Sequence, residues 1–150
     1  MADANFWNDP EAAQIILRSG APITLVGMDV TMKVLLTEAM RKTIAAEGGA
    51  VGARMMQIAQ FYVDAYARMY PGIDGCGLHD PLAVAIAEDP SLARTERMCV
   101  DIELAGALTR GQAVADRRRT SEPFRNADVC MDADIAEFHR RFIETFTGWA

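Results

Sequence analysis

A short apolar run, Ile23-Thr24-Leu25-Val26-Gly27, constrains the fold of this chain more than any other feature. Pro22 opens it and a glycine closes it, and its length and β-branched content fit a strand buried on both faces. Directly before it, Asn8-Asp9-Pro10-Glu11 leads into Ala12, Ala13, Ile15, Ile16 and Leu17, with an aspartate placed to cap, proline at the first helical position and Gly20 as a stop. A capped helix feeding a fully buried strand points to an α/β sheet covered by helices.

The remaining pattern agrees with that class. Over residues 34–46 the apolar positions Val34, Leu35, Ala39, Met40 and Ile44 predict one helix ending at Gly48-Gly49. A longer helix follows, its core face read as Val51, Met55, Ile58, Ala59, Tyr62, Ala65, Tyr66 and Met69, and Tyr70-Pro71-Gly72 ends it. After a glycine-dense connection, Asp80-Pro81 opens a helix through Leu82, Val84, Ala85 and Ile86. Met98, Val100 and Ile102 alternate with polar residues as in a half-buried strand, and residues 128–131 offer another, with a hairpin or loop excursion between them. The last helix, capped by Asp132 or Asp134, carries Ile135, Phe138, Phe142 and Phe146 on one side and is expected to dock on the sheet.

With 150 residues, no internal repeat and no linker-like change of composition, the chain reads as one domain over residues 1–150. No apolar run is long enough to span a bilayer, and the first residues carry no basic and apolar leader, so the expected compartment is cytoplasmic with no membrane partner. A net charge of −6 disfavours nucleic acid, whose binding depends on Lys and Arg displacing counterions. The basic run Arg117-Arg118-Arg119 sits in a polar stretch and reads as a solvated loop. The three cysteines, Cys76, Cys99 and Cys130, are widely spaced and odd in number, a pattern of reduced thiols rather than of disulfides or a metal knuckle.

The sharpest chemical feature is Gly77-Leu78-His79-Asp80-Pro81, an imidazole beside a carboxylate at a helix entrance. An imidazole suits general acid work near neutral pH. Helix capping is the competing account, because Asp-Pro opens an expected helix at Asp9-Pro10, Asp80-Pro81 and Asp89-Pro90. His139, flanked by Phe138 and Phe142 in the last helix, reads as a packing residue. Asp132-Ala133-Asp134 lacks the loop of an EF-hand, and no phosphate-loop, dinucleotide, nucleophile-elbow or H-E-x-x-H signature is present.

Four stretches, in order along nearly the whole chain, resemble the C-terminal half of the inosine/uridine-preferring nucleoside hydrolase family. They are Ala4-Asn5-Phe6-Trp7-Asn8-Asp9-Pro10-Glu11-Ala12-Ala13, Ile23-Thr24-Leu25-Val26-Gly27-Met28-Asp29-Val30-Thr31, Leu78-His79-Asp80-Pro81-Leu82-Ala83-Val84-Ala85 and Leu108-Thr109-Arg110-Gly111-Gln112-Ala113-Val114-Ala115-Asp116-Arg117. The resemblance implies an open, largely parallel sheet flanked by helices, and hydrolysis of the N-glycosidic bond of ribonucleosides. It implies a Ca²⁺ ion that holds the ribose hydroxyls and the attacking water, with an oxocarbenium-like sugar as in inverting glycoside cleavage. Carried over by position, His79 is the acid or leaving-group contact, Asp80 a Ca²⁺ ligand and Asn5 a ribose contact. Asp3 stands where the family has a sugar-binding glutamate. Tyr62, Tyr66 and Tyr70 fall in the region that lies over the nucleobase.

The family's Asp-x-Asp-Pro-Gly-x-Asp-Asp signature, source of the catalytic base and most of the Ca²⁺ carboxylates, does not occur in the sequence. The expectation is therefore a single domain lacking the N-terminal half of the family fold and inactive alone. It would work as a homo-oligomer or beside a complementary N-terminal chain, because missing strands would leave an edge and apolar faces to cover. The other reading is a non-catalytic remnant, kept as a nucleoside-binding or oligomerisation domain.

Overall fold

The computed structural model describes residues 2–118 and 124–148. Arg119, the last residue of the basic run, lies outside them. In chain order the elements are α1 (Ala4–Asn8), α2 (Pro10–Leu17), β1 (Thr24–Leu25), α3 (Met28–Thr31), β2 (Leu35–Leu36), α4 (Glu38–Glu47), α5 (Gly49–Met69), β3 (Cys76–Gly77) and α6 (His79–Glu88). A 3-10 turn at Pro90–Leu92 precedes β4 (Ala93–Ile102), β5 (Ala113–Asp116), β6 (Ala127–Ala133) and α7 (Ile135–Thr147). The class is α/β, as expected. One sheet has the order β1-β6-β4-β5, and β2 and β3 form a separate ladder.

The chain folds as two compact units, Met1–Met28 with Arg94–Asp132, and Asp29–Ala93 with Ala133–Ala150. In the first, β1 pairs parallel with β6 and β4 pairs antiparallel with β5, so the excursion between β4 and β6 is indeed a hairpin arm. Its core is Leu17, Met98, Val100, Ile102 and Ala127, the inward residues of β4 meeting the end of α2. Asn126 fastens these layers, its side-chain amide donating to the Leu17 and Val100 carbonyls and accepting from Val100 N–H.

The second unit is mostly helical. Val30, Val34, Leu36, Met40, Ile44, Met56, Leu82, Ile86 and Phe138 are buried there. Three expectations change on meeting it. Residues 34–46 do not form one helix: Val34 leads into β2, to which Leu35 belongs, and α4 starts only after Thr37, whose hydroxyl accepts from Met40 N–H. Most of the face assigned to the core on α5 points outward, with Val51, Met55, Ile58, Tyr62 and Met69 exposed; Ala59, Ala65 and Tyr66 of that face are half-buried, and Gly52 and Met56, which were not assigned to it, are buried. The buried side is instead the one that small residues let approach α4: a Cβ on Gly52 would lie 2.5 Å from the Ile44 carbonyl oxygen. Finally, α7 docks chiefly on α4 and α5 rather than on the sheet, with Asp134, not Asp132, as its cap. Among the described residues no helix is long and apolar enough to cross a membrane.

Candidate active site

Thr31 and His79 are 48 positions apart, and the β2–β3 ladder brings them together. Leu35 pairs with Gly77 and Leu36 with Cys76, and Leu78 N–H donates to the Val34 carbonyl at 2.8 Å. Because α3 ends three residues before Val34 and α6 begins just after Leu78, Thr31 and His79 must face each other. The glycines make the ladder possible. Gly75 has φ +108, a left-handed conformation open to glycine, and any Cβ there would collide with the Leu36 carbonyl.

The His79 imidazole is held at both nitrogens. Thr31 Oγ1 lies 2.6 Å from Nδ1, and the Tyr66 hydroxyl lies 2.5 Å from Nε2. Thr31 is buried, at 2% exposure, whereas His79 and Tyr66 are half-buried. Tyr66 belongs to the last turns of α5 and its ring packs against Tyr70, centroids 5.6 Å apart. Burial, with smaller contributions from Tyr70 and Cys76, pushes the Tyr66 phenol pKa above its usual 10.0 and so favours the neutral phenol over the phenolate. Burial likewise raises the pKa of the Cys76 thiol.

Asp80 behaves unlike the other two Asp-Pro aspartates. Asp9 caps α2, accepting from Ala12 N–H at 2.9 Å, and Asp89 caps the 3-10 turn, accepting from Ser91 N–H at 3.0 Å. At the third, α6 starts one residue early, with Leu78 in the cap position and no side-chain cap bond. Asp80 sits inside the first turn, exposed, its carboxylate bonded to nothing among the described residues. Capping thus explains Asp9 and Asp89 but not Asp80.

Asp3 and Asn5 lie in the first unit. Asp3 caps α1, accepting from the Asn5 backbone N–H at 2.9 Å, and Asn5 is exposed. Arg110 binds both carboxylate oxygens of Glu11, at 2.7 and 2.8 Å, which pulls the Glu11 pKa down, and donates to the Leu104 carbonyl. Gly111, at φ +83, lies so close to Trp7 that a Cβ would come within 2.9 Å of its Cα. The first and fourth of the quoted stretches are therefore clasped by Glu11 and Arg110, and the second and third by Thr31 and His79. Sequence reasoning missed Thr31 as a site residue, although it ends one of those stretches. His139 is packed as expected, its pKa lowered by burial and partly restored by a bond to the Leu35 carbonyl.

The family model for inosine-uridine preferring nucleoside hydrolases matches residues 1–140. The chain belongs to this family. It is 39% identical over 139 residues to an inosine-uridine preferring nucleoside hydrolase of Leishmania major, a match covering 92% of the chain and 43% of that relative. It is 32% identical over 137 residues to a pyrimidine-specific ribonucleoside hydrolase, RihA, of Shigella boydii, covering 91% of the chain and 44% of the relative. Among solved structures, a purine-preferring ribonucleoside hydrolase from Gardnerella vaginalis superposes with a TM-score of 0.89 at 37% identity, over 99% of this chain and 46% of the other. The chain thus spans less than half the length of these relatives.

Proposed function

We propose that this chain supplies the leaving-group side of a nucleoside hydrolase active site, with a ribonucleoside as substrate. The observation that carries the reading is His79, locked between two hydroxyls beside an unengaged Asp80, in a chain of this family. Cleaving an N-glycosidic bond drives negative charge onto the departing base, and a proton donor held against the base lowers that barrier. The His79–Tyr66 pair is such a donor. Asn5 is proposed as a ribose contact, and Asp3 serves the same end by capping the turn that carries it.

Ca²⁺ takes six to eight oxygen ligands. Among the described residues no three His, Cys, Asp or Glu side chains converge, so these residues alone do not fit the ion. Asp80 is proposed as one ligand, with the others contributed from outside the described residues. On this reading the chain alone does not turn over. Catalysis needs the Asp-rich signature, brought by a covalently continuous or complementary partner, and a cytoplasmic setting suits such an assembly. The outward apolar stripe Val51, Met55, Ile58, Tyr62 and Met69 supports a covering partner or a second copy.

The test is hydrolysis of inosine and uridine with added Ca²⁺. It is run on the chain alone and on the chain fused to the portion of the Leishmania major relative that the match leaves uncovered. The expected result is turnover only in the fusion, reduced about 10²–10⁴-fold in kcat by His79→Ala, the range for a general acid. Full activity of the His79→Ala fusion would sink the reading, and turnover by the chain alone would overturn its dependence on a partner.

A further inference from the structure

We propose that Thr31 is a positioning residue whose hydroxyl donates to Nδ1 of His79 and thereby fixes the ring proton on Nε2, facing Tyr66. The inference deepens the proposed function and takes its catalytic meaning from it, but the geometry that carries it is independent of any substrate.

A threonine hydroxyl has one proton and needs an acceptor for it when water is excluded. Thr31 is 2% exposed, and among the described residues the only partner of Oγ1 is His79 Nδ1, at 2.6 Å. Two neutral arrangements of the ring are possible. With the proton on Nδ1, the ring donates to Oγ1 and the Thr31 proton is left buried without an acceptor. With Nδ1 bare, Thr31 donates to it and nothing in the buried part of the network is wasted. The second arrangement places the remaining ring proton on Nε2, where the Tyr66 oxygen accepts it at 2.5 Å. All the bonds then run one way, from Thr31 through His79 to Tyr66. The phenol proton, which has no other acceptor among the described residues, is left pointing onward from the network.

The ring cannot escape this polarity by rotating. Its Nε2 edge lies where a Cβ of Gly77 would be 2.5 Å away, so the backbone of β3 walls one side while Thr31 and Tyr66 hold the two nitrogens. Thr31 itself is fixed by the turn that closes α3, with Val34 N–H donating to its carbonyl at 3.0 Å. It acts on the reacting groups only through His79.

The decisive measurement is nitrogen-15 NMR of the histidine rings at alkaline pH on the free, full chain. The chain has two histidines, and His79→Gln identifies the His79 signals. The expected wild-type spectrum has a protonated Nε2 and an unprotonated, hydrogen-bonded Nδ1. Thr31→Val, of matching shape, should move the Nδ1 signal to that of a free acceptor, and Thr31→Ser should restore it. A wild-type ring protonated at Nδ1, or an Nδ1 signal unmoved in Thr31→Val, would overturn the assignment. The wild-type spectrum decides even if a variant fails to fold. Absence of nucleoside turnover by the fusion, with this tautomer in place, would count against the proposed function and not against Thr31.

Discussion

Gly77 makes room for the His79 ring: a Cβ there would stand 2.5 Å from Nε2 and 2.6 Å from Cε1. The obstacle would be the imidazole itself, so Gly77→Ala has one cheap response, which is to push the ring off its two hydroxyl partners. Misplacing a reacting group by about 1 Å can cost about 10²-fold in rate. Gly77→Ala is therefore expected to lower kcat of the active fusion by about that factor while the second unit stays folded. Parallel circular dichroism and ring NMR would check this, and wild-type kcat in the variant would refute it.

The Glu11–Arg110 clasp predicts a milder, structural phenotype. Both side chains are about half exposed, so the ion pair itself is screened and worth little. Arg110 also donates to the Leu104 carbonyl, whereas among the described residues Glu11 has only Arg110 as a charged partner. Arg110→Met should therefore lower the melting temperature more than Glu11→Gln, and only the charge-pair part of the loss should shrink in high salt. Thermal melts of the two variants at low and high ionic strength make the comparison, and equal melting temperatures would show that the Leu104 bond contributes nothing.

What the sequence disclosed and what it hid divide along physical lines. Caps are local, so Asp9, Asp134 and the Pro10 start of α2 could be read from neighbouring residues. The break before α4 left only a weak signal, the capping hydroxyl of Thr37, because Val34 and Leu35 continue the apolar spacing of the helix across it. On α5 the period was legible but the phase was not. The helix carries large apolar side chains on its outer side, and its inner side is built from Gly52, Ala59 and Met56, where close approach outweighs hydrophobicity. His79 and Asp80 stood out as a motif, but Thr31 could not, since a threonine is assigned to a site only once long-range pairing of β2 with β3 sets it beside an imidazole.

That inverted phase on α5 is open to a direct check. A methyl on Gly52 would press against the Ile44 carbonyl oxygen, a backbone atom that already accepts from Gly48 N–H and cannot swing away. Gly52→Ala should destabilise the chain by about 1–3 kcal/mol, as overpacking does. Val51→Ser, one residue away but 57% exposed, should stay within about 0.5 kcal/mol. Urea denaturation of both variants separates the faces, and the reverse order would mean that the outward stripe is the buried one.

The anchoring of α7 predicts acid sensitivity with a defined window. The Ser91 hydroxyl, the Arg141 guanidinium and Ser91 N–H together hold Asp89 down from 3.8 to about 2. Arg140 and Arg141 hold Glu137 down from 4.5 to about 2. A carboxylate depressed in the folded state binds its proton more readily when unfolded, so its stabilisation is complete above the ordinary value and drains away as pH falls toward the depressed one. Both groups are half-exposed, and solvent screening keeps each contribution modest, but Arg141 bridges them, bonding Asp89 at 2.8 Å and Glu137 at 2.6 Å. Losing one partner therefore weakens the other's hold on the helix. The melting temperature should be nearly flat down to about pH 5 and fall between about pH 4.5 and pH 2. A doubly substituted Asp89→Asn, Glu137→Gln chain should melt lower at neutral pH and lose less on acidification. Parallel slopes for the two proteins across that window would show that other carboxylates set the acid limit.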